Sequence, residues 1–173
     1  VHASRRLPAC WFAPSLTRLE KAGGDGHGDG TARIFADDPN VFTASLHCED
    51  NWPREKPPSD LDIGLPKGTG DDAYLDAVSK ITELTINRAH PDLIYYNAGV
   101  DPHMDDRLGL FHVTDEGLRE RERIVAEAAH KNGVPLVGVL GGGYSKDARA
   151  VATRHTYLVE AFNTVSKADV LVS

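Results

Sequence analysis

The sequence predicts an α/β protein with a parallel sheet, and three observations carry that prediction. Apolar, β-branched runs at residues 41–47, 92–98 and 135–140 alternate with helical stripes at three- and four-residue steps. The run at 92–98 is apolar nearly throughout, as in a strand covered on both faces. Two runs also end on loop text bearing reactive groups. Ala98-Gly99-Val100 leads to Asp101, and Leu140-Gly141-Gly142-Gly143 leads to Tyr144. In open parallel sheets the carboxyl ends of strands are where sites are built. The expected architecture has three layers, α/β/α, with right-handed crossovers.

Residues 1–24 carry short apolar patches, Cys10-Trp11-Phe12 and Leu16, without a sustained period. Residues 41–47 are β-branched and aromatic enough for a strand. Residues 48–70 read as a long polar connection holding Pro53, Pro57, Pro58 and Pro66. Asp71 or Asp72 opens a helix whose stripe is Tyr74, Leu75, Val78, Ile81 and Leu84, and Pro91 follows its end. The strand at 92–98 comes next. Thr114 caps another helix with Asp115 and Glu116 in its first turn, and Leu118, Ile124, Val125 and Ala128 face inward. Asn132-Gly133 stops it. After the strand at 135–140, Ser145 is the expected cap of a helix through Val151, Tyr157, Leu158 and Ala161, and residues 169–172 suit a last short strand. Three or four strands leave an unprotected sheet edge.

A chain of 173 residues suits one domain able to bury a core. No apolar stretch approaches the ~20 residues of a membrane span, and no apolar core follows Arg5-Arg6 as a signal peptide requires. The net charge of −7, from 26 acidic and 19 basic residues, argues against a nucleic-acid footprint. Cys10 and Cys48 form no disulfide framework and suit reduced thiols in a cytoplasmic protein.

The chemistry-bearing residues are few. Asp25-Gly26-His27 puts a carboxylate and an imidazole on one side of an extended segment, a pair suited to Zn²⁺ or a similar divalent ion. The same glycine-rich run also reads as a flexible loop. Asp101 at a strand end is either a ligand or a turn former, and His103 in the polar loop after it reads as exposed and idle. The glycines before Tyr144 either cradle a phosphate or let the chain pass close to a ligand to which Tyr144 donates a hydrogen bond. The phosphate reading lacks a GxGxxG spacing or a P-loop lysine. An Asp-x-His pair, a further Asp and a Tyr are the parts of a metal-assisted hydrolase.

Taken in order, several stretches resemble the histone deacetylase family, class IV and bacterial deacetylase-like members above all, with the arginase/deacetylase fold. They are Gly28-Asp29-Gly30-Thr31-Ala32, Ile34-Phe35-Ala36-Asp37-Asp38-Pro39, Val41-Phe42-Thr43-Ala44-Ser45-Leu46-His47 and Ser59-Asp60-Leu61-Asp62-Ile63-Gly64-Leu65-Pro66. Gly68-Thr69-Gly70-Asp71, Pro91-Asp92-Leu93-Ile94-Tyr95-Tyr96-Asn97-Ala98-Gly99-Val100-Asp101-Pro102, Asp106-Arg107-Leu108-Gly109 and Gly141-Gly142-Gly143-Tyr144 continue the series. The resemblance covers roughly residues 25 to 165. It implies that Asp25, His27 and Asp101 bind a catalytic zinc, with ferrous iron as the alternative metal, and that Tyr144 holds the substrate carbonyl and the oxyanion formed from it. It also implies that Trp52 walls an acyl-lysine channel together with Gly99, Gly142 and Gly143, and that a structural K⁺ lies near Ser45 and Leu46. The implied activity is removal of acetyl or acyl groups from lysine or polyamine amines.

The chain departs from the family at its start. One residue is missing between His27 and Gly28, and Gly23 stands where the family has another Asp. Leu19-Glu20-Lys21-Ala22-Gly23-Gly24 replaces an apolar strand. Val1-His2-Ala3 resembles the end of the tandem-histidine motif, with Val1 in place of the first histidine, which leaves His2 as the proton-transfer residue. The expected organisation is an irregular remnant of the N-terminal part over 1–24 and the C-terminal part of a catalytic domain over 25–173. The alternative is a non-catalytic remnant serving as a binding or assembly module, and a weaker third is a nucleotide-binding module using Gly141 to Gly143.

Overall fold

The computed structural model describes residues 9–13 (by their backbone), 30–51 and 56–168. Among the described residues, five strands form one parallel sheet: β1 (Ala9–Ala13), β2 (Val41–Cys48), β3 (Leu61–Leu65), β4 (Leu93–Ala98) and β5 (Leu136–Leu140). Their spatial order is β3-β2-β1-β4-β5. Four helices accompany them: α1 (Gly30–Phe35), α2 (Asp71–Ala89), α3 (Asp115–Lys131) and α4 (Ala148–Ala168).

The strand order positions the site. From β1 in the middle, the chain builds outward through β2 to β3, then α2 carries it back across the sheet to β4 on the other side of β1. β1 pairs with both neighbours, Phe12 standing opposite Ala44 on β2 and Tyr96 on β4. The direction of winding thus reverses between β1 and β4, and beyond the carboxyl ends of two such strands a crevice opens.

Four of these elements differ from the sequence expectation. The patch Cys10-Trp11-Phe12 forms β1, although five residues are too few to show a period. A strand, β3, lies inside the expected long connection and pairs with β2 from Ala44↔Leu61 to Cys48↔Leu65. It is an edge strand, so one polar residue, Asp62, interrupts its apolar text without burial cost. The short helix α1 comes next after the glycine run. β4 also differs in character: Ile94, Tyr96 and Ala98 are buried, whereas Tyr95 on the other face is 36 % exposed.

The core lies between the sheet and the layer made by α2, α3 and α4. Tyr74, Val78 and Ile81 of α2 meet Leu46 of β2, while Leu118, Val125 and Ala129 of α3 lie with Tyr96 and Ile94 of β4 in one apolar cluster. Gly138 of β5 receives Leu158 of α4, whose side chain stands where a Cβ would be. Cys48 is a free, buried thiol whose pKa burial raises.

The helix ends follow local chemistry. Thr114 caps α3, its hydroxyl accepting from the Gly117 amide at 3.1 Å. Asp71 in the first turn of α2 accepts both the Thr114 amide, at 2.8 Å, and the Thr114 hydroxyl, at 2.6 Å. A side chain on Gly117 would collide with that carboxylate, so the glycine is what lets α2 and α3 start side by side. His90 ends α2 in the left-handed conformation, and Gly133 follows α3 with φ +65°. α4 is capped by Asp147 rather than by Ser145: Asp147 Oδ1 accepts from the amides of Arg149 at 2.9 Å and Ala150 at 3.1 Å. The expected strand at 169–172 lies outside the described residues.

Removing the Thr114 hydroxyl (Thr114→Ala) is expected to lower stability by about 1 kcal/mol, the usual cost of a lost cap. Asp71→Ala strands the Thr114 amide as well and should cost about 1–3 kcal/mol. Urea midpoints at constant slope measure both, and an Asp71→Ala loss no larger than that of Thr114→Ala would refute this account of the joint.

Candidate active site

The site is built from two loops at the carboxyl end of the sheet, one after β4 and one after β5. These strands are paired, Ala98 opposite Leu140, so the loops leave side by side. One backbone bond joins them immediately: the Val100 amide donates to the Gly142 carbonyl at 2.7 Å.

The loop after β4 folds back on itself. Asp101 is 2 % exposed, and a side chain on Gly109 would collide with its carbonyl oxygen. Asp106 then acts as a hub. Its Oδ1 accepts the Leu108 and Gly109 amides, each at 2.8 Å, and its Oδ2 accepts the Tyr144 amide at 2.5 Å. Arg107 Nε donates to the Tyr144 carbonyl at 2.8 Å. Both peptide groups of Tyr144 are therefore gripped by one dipeptide of the neighbouring loop, which fixes where the phenol departs from the chain.

The three glycines before Tyr144 are needed for space, not for unusual dihedrals, since none of them has a positive φ. A Cβ on Gly142 would lie 2.5 Å from Asp101 Oδ1 and 3.1 Å from Tyr144 Cε2. Bare backbone at this position thus touches the carboxylate and the aromatic ring together. Gly141 passes as closely to the Asn97 side chain and to Gly99, and Gly143 is wedged between Val100 and Val151. The close approach that these glycines allow is to other parts of the chain itself.

Charged side chains from α3 and α4 brace the loop. His103 is buried, 4 % exposed, contrary to the expectation of an idle surface residue. Its Nδ1 accepts the Asp105 amide at 3.0 Å, and its Nε2 faces Asp115 Oδ2 at 3.6 Å. Arg154 of α4 bridges Asp115, at 2.9 Å, and Asp105, at 3.1 Å. Arg154 hydrogen bonding holds the Asp115 carboxyl below its ordinary range, with burial opposing it. Under the glycine turn, burial first and the Arg121 charge second lower the pKa of His155, whose Nδ1 has no hydrogen-bond partner among the described residues.

Of the residues expected from the sequence, Asp101, Tyr144, Gly99, Gly142 and Gly143 come together here. Asp25, His27, His2 and Trp52 lie outside the described residues. Among the described residues no three His, Cys, Asp or Glu side chains form a metal-binding group. Ser45 and Leu46 sit buried on β2, and the Ser45 hydroxyl lies 3.0 Å from His47 Nδ1. No described helix is long and apolar enough to cross a membrane. The clamp of Asp106 and Arg107 carries no sequence signal of its role, because only the fold brings it to Tyr144.

Comparison with known proteins bears on the family and the fold. A family model described as "Histone deacetylase domain" matches residues 26–161. An uncharacterized protein of Picosynechococcus sp. is 48 % identical over 138 residues, covering 80 % of this chain and 46 % of that protein. A probable deacetylase of Archaeoglobus fulgidus is 35 % identical over 130 residues, covering 69 % of this chain and 36 % of that protein. A crystal structure of a histone deacetylase homologue complexed with SAHA superposes with a TM-score of 0.67 at 26 % identity, over 91 % of this chain and 42 % of that one. The chain thus spans less than half the length of these relatives.

Two outcomes test the geometry itself. Asp106→Ala frees three amides at once and is expected to cost about 1–3 kcal/mol in denaturant unfolding, with Asp106→Asn, which keeps an acceptor, losing less. His155 is held neutral, with its folded pKa below the ordinary 6.5. Its share of stability is therefore present above that value and is lost as pH falls below it. His155→Gln should flatten the fall in melting temperature between about pH 7 and pH 5, and an unchanged slope would contradict the burial of the ring.

Proposed function

The chain belongs to the histone deacetylase family, and from that premise we propose that it carries the C-terminal part, residues 25–173, of a metal-dependent amidohydrolase that removes acetyl or acyl groups from lysine-like amines. Residues 1–24 belong to the preceding part of the same domain, and Ala9–Ala13 within them supplies the middle strand of the sheet. The observation that carries the reading is the meeting of the Asp101 carboxylate, the bare Gly142 backbone and the Tyr144 ring at the carboxyl end of β4 and β5.

The residues fit a divalent ion by their chemistry. Asp101 offers a hard oxygen donor, and the space against its Oδ1 is one that a Cβ at position 142 would fill. Asp25, His27 and Asp101 would hold the ion, and two carboxylates with one imidazole suit Zn²⁺, or Fe²⁺ in its place. Bound there, a divalent ion supplies a Lewis acid that polarises an amide carbonyl and acidifies water.

The chain's own groups do the rest. Tyr144 donates its hydroxyl proton in a hydrogen bond to the carbonyl oxygen as negative charge develops on it. The grip of Asp106 and Arg107 on the Tyr144 backbone preorganises that donor, so little reorganisation accompanies the reaction. His2 takes a proton from the attacking water and returns one to the departing amine, so that amide and water become carboxylic acid and free amine. Trp52 with Gly99, Gly142 and Gly143 lines the channel for the acylated side chain, for which acyl-lysine or an acylated polyamine is the substrate class. A monovalent cation near Ser45 and Leu46 serves structure alone. The net charge of −7 favours an acylated polyamine, whose remaining amines are protonated, over nucleic acid.

Metal analysis and turnover test the proposal together. The purified chain is expected to hold one equivalent of zinc, lost in Asp101→Ala. Tyr144→Phe should retain the metal while kcat on an acetyl-lysine peptide falls about 10²- to 10³-fold. A folded chain with neither metal nor turnover would instead mark it as a binding or assembly module.

A further inference from the structure

A buried ionic network beneath the site is unused by the reaction just described. Helix α3 carries Arg119-Glu120-Arg121-Glu122-Arg123, a run that reads as a solvated face. Arg119 and Arg123 do pair at the surface, with Glu160 and with Glu120 and Glu127. Arg121 and Glu122 do not: they are 0 % and 1 % exposed, facing the sheet.

Every partner of this pair belongs to an element that frames the Asp101 corner. Arg121 Nη1 donates to the Gly99 carbonyl at 2.7 Å, in the turn between β4 and Asp101. The same nitrogen lies 3.4 Å from the Tyr74 hydroxyl of α2. Arg121 Nη2 is bonded to Glu122 Oε1, and Glu122 Oε2 accepts from the Tyr96 hydroxyl on β4. Burial pushes the Tyr74 phenol up to about 12 and that of Tyr96 well above its usual value, so both stay protonated, Tyr96 donating to Glu122 and Tyr74 facing the Arg121 donor. Burial alone would lower Arg121, but the Glu122 carboxylate holds it fully charged.

A buried ion pair is weak support for stability as such, since apolar residues of equal volume commonly do as well. Its use is in direction. The guanidinium fork is rigid and planar, so fixing one nitrogen on Glu122 aims the other at the Gly99 carbonyl. That carbonyl precedes Val100, whose amide holds Gly142, and Gly142 lies against the Asp101 carboxylate. The geometry points to Arg121 as a positioning residue: anchored by Glu122 and Tyr96, it sets the turn at Gly99 and through it the placement of Asp101 against the glycine loop. That placement stands on the fold; its consequence for catalysis rests on the deacetylase reading.

The double variant Arg121→Met/Glu122→Gln tests it, because it removes both charges and the Gly99 bond while keeping volume and a partner for Tyr96. It is expected to fold, with the Val100 and His103 amides exchanging hydrogen about 10-fold faster or more, and the Ile94 amide at the far end of β4 unchanged. Zinc affinity, measured by competition with a chromophoric chelator, should fall about 10- to 100-fold. On acetyl-lysine peptide kcat should fall while KM holds. Arg121→Lys keeps the buried charge without the fork and decides the matter if the double variant does not fold. Faster exchange confined to the corner supports the proposal; wild-type exchange at Val100 and His103 in a folded variant overturns it. Corner amides that loosen in a chain whose parent binds no zinc would keep the positioning role and refute the deacetylase reading instead. Loosened amides with unchanged zinc affinity in a zinc-binding parent would overturn the link from Gly99 to Asp101.

Discussion

The bond from the Val100 amide to the Gly142 carbonyl is the constraint on which the rest of the site depends. It unites two loops, joined at positions 100 and 142, that are far apart in the chain but leave adjacent parallel strands. Such a bond can form only if the backbone at positions 141 to 143 comes closer than any side chain would permit. Three glycines in succession are costly in conformational entropy. That cost is offset by a contact surface in which main chain lies directly on a carboxylate and a phenol ring.

Around that contact, polar groups are satisfied in layers. Asp106 and Arg107 hold Tyr144 from the solvent side, through its amide and its carbonyl. Arg154, Asp115, Asp105 and His103 tie the loop to α3 and α4. Arg121 and Glu122 hold the turn from beneath. Each layer comes from a different element, so the loop after β4 is fixed at both ends and in the middle. A loop so braced suits the proposed roles, since ligation of a metal and alignment of an oxyanion donor tolerate little displacement.

Much of the fold could be read from residues alone, where the signal was periodic. The stripe Tyr74, Val78 and Ile81 gave α2, Thr114 with its acidic first turn gave the start of α3, and the runs before Asp101 and Tyr144 gave β4 and β5. The misses have physical causes. Five residues at Ala9–Ala13 and five at Leu61–Leu65 are too short for a period to emerge, and both become strands because neighbouring strands offer them hydrogen bonds. Ser145 and Asp147 are equally good caps in isolation, and the packing of α4 selects the second. Arg121 and Glu122 look like their exposed neighbours until the helix is laid on the sheet.

By itself the sequence determined the chemistry on offer: a carboxylate after one strand, a phenol after another, an Asp-x-His pair upstream, and the family they resemble. Residue type fixes donor, acceptor and charge, and these are local properties. Which of those groups meet was decided by tertiary structure. The parallel pairing of β4 with β5 sets the loops side by side, and the missing side chains at 141 to 143 let them touch. Contacts between residues far apart in the chain depend on register and packing, which no single stretch of sequence encodes.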